Sequence, residues 1–139
     1  MSENYRASCL CGTIRFEVSE IERRAGHCHC SMCRKFHGAE YATLATVPRR
    51  AITWQAGQDA VADYCAQNGT IRSFCRQCGS SLFFASPRAD PATIEVALAV
   101  FDDDLPVVPD AHIFVHYAPN WSVISDDLPR FPEGRASAS

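Results

Sequence analysis

The sequence has no apolar run approaching the ~20 residues that a membrane-spanning helix needs, so no membrane association is expected. It has no excess of positive charge either. Lys and Arg number 13 against 16 Asp and Glu, for a formal charge of -3 and a pI of about 5.9. That balance argues against a nucleic-acid partner held by general phosphate attraction. Met1 to Arg6 lacks the basic and apolar regions of a secretory signal, and a cytoplasmic location is the expectation. Internal repeats are absent. Hydrophobic residues at 47% and charged residues at 21% exclude a disordered chain. The length of 139 residues favours one domain, placed at residues 1–131. A flexible tail is expected over 132–139, in the small-residue ending of the proline-containing stretch that begins at Pro129.

What the chain does have is cysteine, eight in all. Seven fall into three clusters, Cys9/Cys11, Cys28/Cys30/Cys33 and Cys75/Cys78, and Cys65 stands alone in a strand pattern as an expected core residue. A disulfide framework gains most by linking distant segments, with Cα atoms about 4.4–6.8 Å apart. Clusters with one or two intervening residues instead aim several sulfurs at one point, the arrangement that tetrahedral Zn2+ favours.

Between the cysteines the pattern has a period of two. Ile14, Phe16 and Val18 alternate with Thr13, Arg15 and Glu17, and Ile94, Val96, Leu98 and Val100 repeat the pattern within 93–100. Further strands are expected at 41–47, 51–54, 61–65, 70–74, 81–85 and 112–117, with turn signals such as Asn68-Gly69 between them. Helical turns are expected only at 31–38 and 102–105. The fold class read from this pattern is all-β.

Cys75-Arg76-Gln77-Cys78-Gly79 sits between two expected strands and reads as a metal knuckle, with Gly79 supplying the permissive backbone. A redox pair would open a helix, and none follows. Cys9 and Cys11 can face one way from an extended strand and complete a closed four-cysteine structural zinc site with Cys75 and Cys78; otherwise they are two small buried hydrophobes. Cys28, Cys30 and Cys33 converge as three ligands with a free fourth position, the pattern of a catalytic zinc. A fourth donor such as His37 would make that site structural too. His29 is placed on the face away from Cys28 and Cys30. The catalytic acid or base is not assigned; His29, His37 and Tyr41 are candidates by sequence proximity alone. Arg34 and Lys35 offer positive charge for an anionic ligand.

Three ordered segments, Cys9-x-Cys11-Gly12, His27-Cys28-His29-Cys30-Ser31-x-Cys33-Arg34 and Phe74-Cys75-x-x-Cys78-Gly79-Ser80-Ser81-Leu82, resemble the glutathione-dependent formaldehyde-activating enzyme family, the GFA/CENP-V domain. His112 to Val115, Trp121 and Asp127 to Phe131 are similar to that family's closing stretch. The resemblance implies twisted antiparallel sheets of the β-tent type with two zinc ions. On that analogy Cys9, Cys11, Cys75 and Cys78 hold the structural ion, and Cys28, Cys30 and Cys33 the catalytic one. The implied activity is that of a carbon–sulfur lyase/ligase, adding glutathione thiol to formaldehyde to give S-hydroxymethylglutathione, so the partners are a small-molecule thiol and an aldehyde. The alternative is a non-enzymatic, zinc-stabilised binding module, a branch associated with chromosomes and microtubules, for which a long basic or proline-rich extension would be the mark.

Overall fold

The computed structural model describes residues 4–137. Ten strands and one helix follow in the order β1 (Tyr5–Ser8), β2 (Arg15–Val18), β3 (Arg24–Cys28), α1 (Ser31–His37), β4 (Ala42–Pro48), β5 (Ile52–Ala56), β6 (Val61–Cys65), β7 (Ile71–Cys75), β8 (Ser81–Ala85), β9 (Thr93–Ala97) and β10 (Val108–Ile113). They form a three-stranded sheet, β1-β2-β5, and a seven-stranded sheet, β10-β3-β4-β9-β8-β7-β6. All pairs are antiparallel except β10 with β3, which run parallel. No helix among the described residues is long and apolar enough to cross a membrane.

The core lies where the two sheets meet. Alternation along β2 and the residues before it buries Ile14, Phe16 and Val18 almost completely, as the period of two predicts. The Phe16 ring lies 5.4 Å from Trp54 of its own sheet and 5.3 Å from Phe83 of the other, so one side chain joins the layers. Val47, Leu82 and Val96 close the core from the seven-stranded side.

Several expectations are corrected. Cys65 ends β6, the edge strand, and is exposed rather than buried, because no further strand covers that edge. Residues 102–105 form no helix; Arg6 holds Asp103 through a 2.6 Å ion pair, and the Asp102 N–H donates to the Arg6 carbonyl. A 3-10 turn forms just upstream, at Leu98–Val100, and ends the strand expected to run through Val100. The stretch expected to fray from Pro129 is hydrogen-bonded where described: the His112 N–H donates to the Pro129 carbonyl, the Phe131 N–H to the His112 carbonyl, and Arg135 to the Ala25 carbonyl.

Candidate metal centres

All eight cysteines are free thiols, so no disulfide framework exists. Seven gather into two groups, Cys9/Cys11/Cys75/Cys78 and Cys28/Cys30/Cys33, within each of which all sulfurs lie within 4.8 Å of one another.

The four-sulfur group is built from two turns. Cys9 to Gly12 is a tight turn, closed by the Gly12 N–H on the Cys9 carbonyl, and not the extended strand expected. Cys75 ends β7 and Cys78 lies in the connection to β8. The Gly79 N–H closes that turn on the Cys75 carbonyl at 2.8 Å, with Gly79 at φ 80°, where a glycine is favoured. The Leu10 N–H donates to Ser80 Oγ at 2.8 Å and pins one turn to the other. Cys9 and Cys11 sulfurs stand 3.6 Å apart, and those of Cys11 and Cys75 4.0 Å. Tetrahedral coordination at Zn–S distances near 2.3 Å separates sulfurs by about 3.8 Å, whereas a disulfide needs about 2.05 Å. The donor set therefore fits a metal ion. Hydrogen bonding by Ser80 brings the Cys78 thiol down to about 5, so this turn is poised to supply a thiolate.

The three-sulfur group sits where β3 passes into α1. Spacing places Cys28 and Cys30 on one strand face, but the strand ends at Cys28 and Cys30 is the N-cap of α1. Its sulfur accepts the Cys33 N–H at 3.3 Å. A helical first turn brings Cys33 back to Cys30, which is how three sulfurs converge within six residues. All three cysteines are buried, against Ala42, Leu44 and Ala97 with Phe84 and Ile113 around them. Hydrogen bonding from the Cys28 and Cys33 thiols favours the Cys30 thiolate, and the same contacts push the Cys28 thiol up. No fourth His, Cys, Asp or Glu joins this group among the described residues.

The remaining candidates separate. His29 is wholly buried, with Nε2 2.8 Å from His112 Nδ1, and His112 Nε2 is 2.9 Å from Asp126 Oδ2. Asp126 accepts from His112 Nε2–H, so His112 Nδ1 accepts from His29 Nε2–H. That leaves His29 Nδ1 as an acceptor without a partner. Burial, reinforced by the neighbouring His112, lowers the His29 imidazole to about 4. Tyr41 packs on His27 and His29, with ring centroids at 4.6 and 4.9 Å. His37 lies elsewhere, in a cleft of about 770 Å³ shared with Cys78 and Ser80. Arg34 turns toward the Tyr117 carbonyl, and Lys35 is exposed. Sequence reasoning did not place His112 and Asp126 beside His29. His112 opens a segment similar to the family's closing stretch, but that likeness gives it no partner; the parallel β10–β3 pairing, with His112 opposite His27, brings it here.

The family model described as glutathione-dependent formaldehyde-activating enzyme matches residues 4–117. A Halomonas elongata protein, named by inference as such an enzyme, is 29% identical over 129 residues, covering 82% of this chain and 76% of its own. A Schizosaccharomyces pombe protein named an uncharacterized lyase is 26% identical over 81 residues, 58% of this chain and 57% of its own length. A crystal structure of a Rhodobacter sphaeroides protein superposes with a TM-score of 0.61 at 27% identity, covering 75% of this chain and 97% of that one.

Proposed function

Because the chain belongs to the glutathione-dependent formaldehyde-activating enzyme family, we propose that it is a carbon–sulfur lyase/ligase working on a thiol–aldehyde adduct, with glutathione and formaldehyde as the pair the family points to. In the forming direction the thiol sulfur bonds to the aldehyde carbon and the thiol proton ends on oxygen, giving S-hydroxymethylglutathione. Cleavage reverses both. The observation that carries the reading is the contrast between four gathered sulfurs in one group and three in the other, buried and without a fourth protein donor among the described residues.

On this reading Cys9, Cys11, Cys75 and Cys78 hold a structural zinc ion, and Cys28, Cys30 and Cys33 hold a second, catalytic one. A three-thiolate zinc supplies a Lewis-acid position that keeps an added thiol ionised near neutral pH. The chain's own residues do the rest. Ala42, Leu44, Ala97 and Ile113 exclude water around the three sulfurs. The Asp126–His112–His29 chain and the His29 N–H on the Ile113 carbonyl fix the loop that carries Cys28 and Cys30. Seven thiolates shared by two Zn2+ would move the formal charge from -3 to about -6, which suits small-molecule partners and not polyanions. Free thiols fit a reducing cytoplasm.

Formaldehyde consumption with a panel of thiols, alongside metal content per chain, tests the reading. Two Zn2+ per chain and thiol-dependent consumption are the expected result. Two Zn2+ without turnover for any thiol would favour the non-catalytic binding module instead.

A further inference from the structure

Strand alternation along β7 sends Ser73 toward Trp54 and Phe83 at the junction of the sheets, and Arg72 and Phe74 to the opposite face, where α1 lies. The helix is fixed over that face by the Ser81 hydroxyl on the Phe36 carbonyl at 3.0 Å and by the Phe36 ring, 6.3 Å from that of Phe74. Arg72 is only 7% exposed. Opposite it on β8 stands Phe84, and the guanidinium carbon lies 5.1 Å from the centre of that ring. Phe84 in turn packs against the cluster of Cys28, Cys30 and Cys33. Among the described residues no carboxylate pairs with Arg72, and its side chain makes no hydrogen bond. A buried, unpaired guanidinium is costly, and an aromatic face offsets only part of that cost. The two cations that the sequence offered for an anion are placed otherwise: Arg34 bonds the Tyr117 carbonyl, and Lys35 is exposed.

We propose that Arg72 is the built-in counter-cation of the three-cysteine centre, a positioning residue whose charge strengthens the hold of that centre on an anionic fourth ligand and leaves a neutral one unaffected. The inference rests on the preceding reading, in that a metal ion occupies the three sulfurs. Three thiolates around Zn2+ carry one net negative charge, and Arg72 cancels it. Without Arg72 an incoming anion would add a second uncompensated charge to a site enclosed by Ala42, Leu44, Ala97 and Ile113, where charges are poorly screened. The four-sulfur group needs no such partner, since Cys11 is exposed and water screens it. Burial, and after it the charge of Arg72, lowers the His37 imidazole at the end of α1. The Cys33 thiol answers chiefly to hydrogen bonding with Cys28 and Cys30 and to burial, and Arg72 acts on it in the direction that favours the thiolate. The guanidinium therefore lies within electrostatic reach of the sulfur that α1 carries.

Titration of the dicobalt protein with two nitrogen donors tests this, azide as the anion and 1-methylimidazole as the neutral ligand, read from the visible bands of the ion held by three sulfurs. Arg72→Met keeps apolar packing on Phe84 without the charge, and Arg72→Gln keeps polarity without it; both are compared at two metal ions per chain. Each should weaken azide binding at least about tenfold, the scale of one charge in a poorly screened site, and change 1-methylimidazole binding by less than about twofold. Arg72→Lys, which keeps a positive charge beside an anionic centre, should restore azide binding to within about threefold of wild type. Unchanged azide binding in the Met and Gln variants, or equal losses for the two probes, would overturn the counter-cation. Thiol-dependent formaldehyde turnover by the wild type would then leave the proposed activity standing. A wild-type spectrum that answers to neither probe, with no turnover, would overturn the two together.

Discussion

Cys30 serves two roles through one sulfur, capping α1 and standing among the three gathered thiols. Serine is a good N-cap but a poor zinc ligand, so Cys30→Ser should stay folded by circular dichroism and lose turnover. Cys30→Ala should lose turnover and, in addition, about 1 kcal/mol of stability in urea melts. Cys75→Ser should unfold the protein, since a structural zinc contributes on the order of 10 kcal/mol in small domains. Equal unfolding of Cys30→Ser and Cys75→Ser would make both centres structural. His29 makes a second prediction. Its folded imidazole titrates near 4 through burial, whereas the unfolded chain takes that proton at its ordinary 6.5. The unfolded state therefore binds more protons between these values, and stability falls as pH drops through that window and levels below it. Metal-loaded wild type should lose about 1 kcal/mol per pH unit more than His29→Gln between pH 6 and 5. Parallel pH profiles would show that His29 does not carry the effect.

Among the elements, short strands set off by turn signals were legible: 61–65 and 81–85 agree with β6 and β8 to the residue, and α1 agrees within one. β3 was not legible, because Arg24-Ala25-Gly26-His27-Cys28 spends its positions on a cleft, a histidine stack and the three-cysteine group rather than on apolar packing. Nor was its parallel pairing with β10, which joins segments some eighty residues apart and leaves no local signal. The cysteine groups themselves were legible from spacing, but the backbone carrying them was not, since turns and a helix N-cap do the converging where a strand was expected. One turn has no freedom left. Gly57 takes φ 75°, and a Cβ there would collide with the Thr13 carbonyl, its carbon at 2.7 Å, beside the Cys9–Gly12 turn. A Gly→Ala change stabilises a compatible site by up to ~1 kcal/mol; Gly57→Ala should instead destabilise by more than that amount and lower metal retention, measured by melting and by metal analysis after dialysis. Unchanged melting would mean that the four-cysteine turns do not depend on this contact.

For the molecule as a whole, two sheets share one aromatic junction, and the four-sulfur group joins the turn after β1 to the β7–β8 turn. Phe16→Ala should cost about 3–5 kcal/mol by urea denaturation, through the cavity left between the layers. A smaller cost would mean that the sheets do not rely on that ring. The charge balance was legible from composition; which charges face a cleft was not, because Arg135 and Glu95 meet there only through the fold. The proposed function requires two unlike metal centres, one closed by Cys9, Cys11, Cys75 and Cys78 and one at Cys28, Cys30 and Cys33 able to take an outside sulfur. Cobalt(II) replaces zinc in thiolate sites and reports each sulfur ligand through charge-transfer absorption. Titrating the dicobalt protein with glutathione should change the spectrum of one ion only, from three sulfurs to four, and Cys28→Ser should remove that response. Both ions showing four protein sulfurs at the start, with no change on adding thiol, would contradict the account.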